Sequence, residues 1–150
     1  MVLGNPDKAV EAYSLGFAAG AAHWSGLLDS AGRCGVLNML EETYGRAFSA
    51  NGEPAAGVVL FEIQSARGDC SGMLDTAQHL VNGSPAEPTF WLRIGEANER
   101  LGNLETATAA YHKAVSIGRP DAASVANARI EAIKSQTAGA DDSCSDADRP

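Results

Sequence analysis

From Pro88 to Asp121 the apolar positions recur at spacings of three and four, in two blocks. In the first, Trp91, Ile94 and Leu101, with the small residues Gly95 and Ala97 among them, fall on one face of a helix. In the second, Leu104, Ala107, Tyr111, Ala114, Val115 and Ile117 do the same. Leu101-Gly102-Asn103 interrupts the register, because Gly102 can take the left-handed conformation that ends a helix and Asn103 can start the next. The pattern therefore predicts a helical hairpin.

This hairpin resembles a tetratricopeptide repeat, a helix-turn-helix unit with a period of about 34 residues. Trp91, Ile94-Gly95, Gly102, Ala107, Tyr111, Ala114 and Pro120 carry the likeness, with Ile in place of Leu and the Pro one position late. Gly95 and Ala107 are expected where two helix backbones approach closely. Trp91 and Tyr111 are expected to fill the wedge on either side, and Trp91→Ala is expected to cost about 3–5 kcal/mol. One hairpin leaves apolar faces on both flanks, so it implies neighbours to stack against.

The same phase continues backward. Gly68 stands one full period before Gly102, Gly35 stands one period before Gly68 to within a single position, and Trp24 stands two such periods before Trp91. The expected class is all-α. Three stacked tetratricopeptide-like hairpins, at 21–53, 54–87 and 88–121, form a right-handed α-solenoid, with an N-terminal helix over 1–20 and a capping helix over 122–137. In the first repeat Leu40, Tyr44 and Ala47 correspond to Ala107, Tyr111 and Ala114. The second repeat diverges: Gly57 stands for Trp91, Phe61 for Gly95, and Met73 and Ala77 for Ala107 and Tyr111. Exchanging large for small at paired positions can conserve volume. Ala9 and Tyr13 mimic Ala107 and Tyr111, so the N-terminal helix reads as the second half of an incomplete repeat. Ala122, Ala126, Ile130 and Ile133 form the single stripe expected of a cap.

The chain has 150 residues, enough for one domain with a core. Its formal net charge of −8 disfavours a phosphate backbone as the main partner. Residues 138–150 hold four aspartates against one arginine and read as a disordered acidic tail. Cys34, Cys70 and Cys144 are odd in number and lack metal-type spacing, which reads as reduced thiols in a cytoplasm. Pro6, Asp7 and Glu11 stand where the apolar core of a signal peptide would begin, and the mild run from Tyr13 to Leu28 is too short to span a bilayer.

Candidate chemistry is sparse. His23, His79 and His112 have no second His or Cys three or four positions away. Cys34 and Cys70 fall beside hairpin turns, where thiols fill space, so no nucleophile pair is expected. The Arg67-Gly68-Asp69 triplet is explained by its turn, Asn82-Gly83-Ser84 is followed by Pro85, and Gly16 and Gly20 suit close helix packing in water. The expectation is no enzyme, no metal and no cofactor.

What remains is surface recognition. In a stack of such hairpins the first helix of each lines the concave side. Its outward positions here are Ser25 and Asp29, then Val58 and Glu62, then Leu92, Glu96, Glu99 and Arg100, with Ala22, Ala55, Ser65 and Thr89 beside them. Aliphatic groups mixed with carboxylates suit an amphipathic helix or extended peptide that carries basic residues.

From Gly52 to Gln136 the chain resembles the needle-subunit chaperones of bacterial type III secretion, the YscG and PscG family. The residues concerned are Gly52-Glu53, Arg67-Gly68-Asp69, Glu87-Pro88 with Trp91-Leu92, Arg100-Leu101-Gly102 and Arg119-Pro120-Asp121. That resemblance implies a cytoplasmic, non-enzymatic protein. With a small helical co-chaperone, it would clasp the amphipathic helix of a needle subunit in its concave groove, with Val58, Leu92 and Glu96 lining it. The alternative is a general tetratricopeptide adaptor, including translocator chaperones of the SycD type.

Overall fold

The computed structural model describes residues 6–20 and 24–136 and contains, among them, eight helices and no strand. They are α1 (Pro6–Ala18), α2 (Trp24–Cys34), α3 (Leu37–Asn51), α4 (Pro54–Arg67), α5 (Cys70–Gly83), α6 (Pro88–Arg100), α7 (Leu104–Ile117) and α8 (Pro120–Ser135). Within each of two compact units, neighbouring helices pack on one another. The start of the first expected repeat, residues 21–23, and the acidic segment 138–150 lie outside the described residues. No described helix is long and apolar enough to cross a membrane.

The expected turns fall where the sequence phase puts them. Gly35, Gly68 and Gly102 have φ of 73°, 74° and 83°, a backbone region costly for any residue with a Cβ. A second set closes helices at the links between hairpins: Gly20, Gly52 and Gly118 also have positive φ. Several helix starts have a local cause as well. Prolines open α4, α6 and α8, where a missing N–H costs nothing. The Asp69 carboxylate accepts from the Gly72 amide at 2.9 Å at the start of α5, and Glu87 accepts from the Thr89 amide at 3.3 Å at the start of α6. Asn103 does occupy the position before α7 but makes no side-chain cap. Its side-chain amide instead donates to Asn98 Oδ1 at 3.5 Å.

The chain divides into two compact units at Arg67–Gly68, the turn of the expected second hairpin. In the first unit, α1 packs on α2, and α3 on α4, around Phe17, Leu28, Ala31, Leu40, Val59 and Ile63. Gly16 permits the approach of α1 and α2, since a Cβ there would lie 2.9 Å from Leu27 Cδ1. Phe17 meets the Trp24 and Tyr44 rings edge to face, at 5.8 and 5.9 Å between centroids, a favourable geometry for aromatic quadrupoles. The indole of Trp24 donates to the Phe17 carbonyl at 3.0 Å.

In the second unit α5, α6, α7 and α8 pack in order, and α6 also touches α8. Ala107, Tyr111, Ala114, Ala126, Ile130 and Ile133 form one core cluster between α7 and α8, flanked by Trp91 and Leu92. Gly95 differs from expectation in what it accommodates. A Cβ at Gly95 would enter the ring of Tyr111, so the glycine makes room for a buried aromatic side chain. Trp91 is half-buried, its indole donates to the Pro85 carbonyl at 2.9 Å, and the Lys113 ammonium lies 5.8 Å from its ring centroid. The divergent positions of the second repeat, Gly57, Phe61, Met73 and Ala77, are all buried.

Candidate partner-binding surface

Of the eight residues expected to line a groove, Ser25, Asp29, Val58 and Glu62 belong to the first unit, and Leu92, Glu96, Glu99 and Arg100 to the second. On α2, Ser25 and Asp29 are exposed, and Asp29 pairs with Arg33 one turn along. On α4, Val58 and Glu62 are half-exposed while Val59, Leu60 and Ile63 turn inward. On α6, Leu92 and Glu96 are half-exposed as well, and Glu96 lies 3.7 Å from Arg93. Leu92 also packs against the core between α7 and α8, so only part of its side chain is open to a guest.

Glu99 and Arg100 have other uses. The Glu99 side chain is 9% exposed and sits among three helices. Its Oε1 accepts from the Tyr111 hydroxyl of α7 at 2.7 Å and from Arg129 Nε of α8 at 3.0 Å, and Arg129 Nη2 bonds its other oxygen. A carboxylate held by two charge-assisted bonds and a phenol is a staple between helices. Burial, and then the bond to Glu99, push the Tyr111 phenol well above its ordinary pKa. The same carboxylate, by its hydrogen bond, holds Arg129 more firmly in its charged form. Arg100 lies against α5, with Nη1 3.4 Å from the Met73 sulfur. Glu99 thus serves packing within the second unit rather than an open surface, whereas Arg100 stays half-exposed. The sequence carried a signal for Glu99: it lies one helical turn after Gly95, on the side already assigned to the partner helix.

One polar link went unnoticed in the sequence. Arg119, just before α8, grips Glu87, just before α6, through Nη1 at 2.9 and 3.1 Å from the two carboxylate oxygens. Arg119 also reaches Asp121 at 3.4 Å. The Asp121 carboxyl is held below its ordinary pKa, first by the Ala122 backbone amide and then by Arg119. The signal was there as Glu-Pro and Arg-Pro at successive repeat starts with opposite charge.

Cys70 is fully buried and disulfide-bonded, so the expectation of a reduced thiol fails there. Cys34 is half-buried and in the thiol form. Among the described residues no three His, Cys, Asp or Glu side chains gather as a metal site would require.

The class defined by the fold is an all-α chain of packed neighbouring helices. No protein-family model matches it, and no curated protein does either.

Proposed function

We propose that this chain is a protein-binding chaperone or adaptor that holds an amphipathic helix or peptide of a partner along the outward positions of its first helices. The observation that supports this is a repeated pair. Val58 and Glu62 on α4 recur one repeat period later as Leu92 and Glu96 on α6, each pair one helical turn apart and each half-exposed. An aliphatic group followed one turn later by a carboxylate, offered once by each unit, fits a guest with an apolar stripe flanked by Lys or Arg. Ser25 and Asp29 continue the carboxylate series one period earlier. By its resemblance to the YscG and PscG family, the guest is a type III secretion needle subunit, whose self-assembling face would be covered while bound. The chain performs no reaction and takes no cofactor in this reading.

Co-expression with neighbouring genes followed by pull-down tests the partner: recovery of a short, needle-like helical protein is expected. A large membrane-inserting partner would favour the translocator-chaperone alternative. With synthetic amphipathic helices as probes, a basic-flanked helix should bind and an acidic-flanked one should not. Glu62→Lys with Glu96→Lys should weaken the basic probe about tenfold or more, the equivalent of roughly 1.4 kcal/mol. Equal binding of both probes would overturn the role given to the carboxylates.

A further inference from the structure

We infer that copies of this chain associate head to tail, with α8 of one copy packing antiparallel against α1 of the next. Among the described residues two large hydrophobic side chains stand exposed, Leu15 at 68% and Val125 at 52%, and they lie on these two helices. Each belongs to an apolar strip at helical spacing. On α1 and the turn that ends it, Ala12, Leu15 and Ala19 are exposed; on α8, Val125 and Ala128 are exposed and Ala132 is half-buried.

The two helices are complementary in kind. α1 carries the second-helix pattern, with Ala9 buried and the Tyr13 hydroxyl bonded to Ser30 Oγ of α2 at 2.9 Å. α8 opens on Arg119-Pro120, as α6 opens after Glu87, and it touches α6 as well as α7, which marks it as a first helix. A first helix from one copy and a second helix from another complete one hairpin. Antiparallel alignment sets Ala12 opposite Ala132, Leu15 opposite Ala128 and Ala19 opposite Val125, so that each large side chain meets a small one and the backbones can approach. It also brings the first turn of α1, with Asp7, to the last turn of α8, with Lys134.

Such a contact is heterologous, because the two surfaces differ. A single helix pair lies at the small end of interface sizes, so the association is weak and concentration-dependent. It rests on the repeat reading of the helices and uses none of the proposed groove residues, so peptide binding and self-association can fail independently.

Sedimentation velocity of the full chain over a concentration series tests it. The wild-type mass should rise with concentration, whereas Leu15→Glu alone and Val125→Glu alone should each remain monomeric, their association weakened about tenfold or more. An equimolar mixture of the two variants should form a species of twice the monomer mass and nothing larger, since one intact surface of each kind remains. Circular dichroism checks that both variants fold, and Leu15→Ala with Val125→Ala repeats the test if either does not. A wild type monomeric throughout, a single variant that associates as the wild type does, or a mixture that stays monomeric overturns the inference.

Discussion

Gly95→Ala sets two effects of known sign against each other. On helix propensity alone, alanine in place of a mid-helix glycine stabilises by about 1 kcal/mol. At Gly95, however, the new Cβ would lie 2.5 Å from Cζ and 2.7 Å from Cδ1 of Tyr111, and closer still to Cε1. Relief requires the ring to retreat by roughly 1 Å to reach ordinary carbon contact. The ring has little freedom to do so: Tyr111 is 2% exposed and its hydroxyl is bonded to Glu99, which Arg129 holds in turn. Overpacking typically costs about 1–3 kcal/mol, and a broken bond that leaves a buried polar group unpaired costs about 1–3 more. The sum outweighs the propensity gain, so Gly95→Ala should destabilise by about 1–5 kcal/mol. Urea unfolding followed by circular dichroism should show a lower midpoint at unchanged slope. In a Tyr111→Leu background the same substitution should become neutral or stabilising, which makes the pair strongly coupled. A neutral or stabilising Gly95→Ala in the wild type would refute the assigned contact.

Gly45→Ala is the matching control: Gly45 lies within α3, a Cβ there meets nothing within 4 Å, and a gain of about 1 kcal/mol is expected in the same assay. Trp91→Ala should cost about 2–3 kcal/mol, below the 3–5 of a fully enclosed aromatic, because the ring is half-buried; a loss under about 1 would remove Trp91 from the core flank. Tyr111 gives a pH signature. Its folded pKa is raised above the unfolded value near 10, so its contribution is intact below pH 10 and falls as the unfolded chain ionises above it. Relative to Tyr111→Phe, the wild type should lose up to about 1.4 kcal/mol per pH unit above pH 10 in alkaline unfolding, and parallel alkaline curves would contradict the buried phenol.

Much of this fold was written along the chain. The apolar recurrence at every third or fourth position gives the helices, and the glycines at 35, 68 and 102 give the turns, because helix phase and backbone sterics are local properties. Val58, Glu62, Leu92 and Glu96 could be assigned to outward positions on the same ground. What lies across a helix from a given residue is not local, and there only the packed structure decides. Glu99 has the composition of a groove residue, yet its place one turn from Gly95 turns it onto Tyr111 and Arg129, whose positions depend on how α7 and α8 settle against α6. Arg119 and Glu87 are far apart along the chain and meet because two helix starts are stacked. A carboxylate becomes a staple or an open handle according to what is packed opposite it, and that requires tertiary contacts between segments distant in sequence.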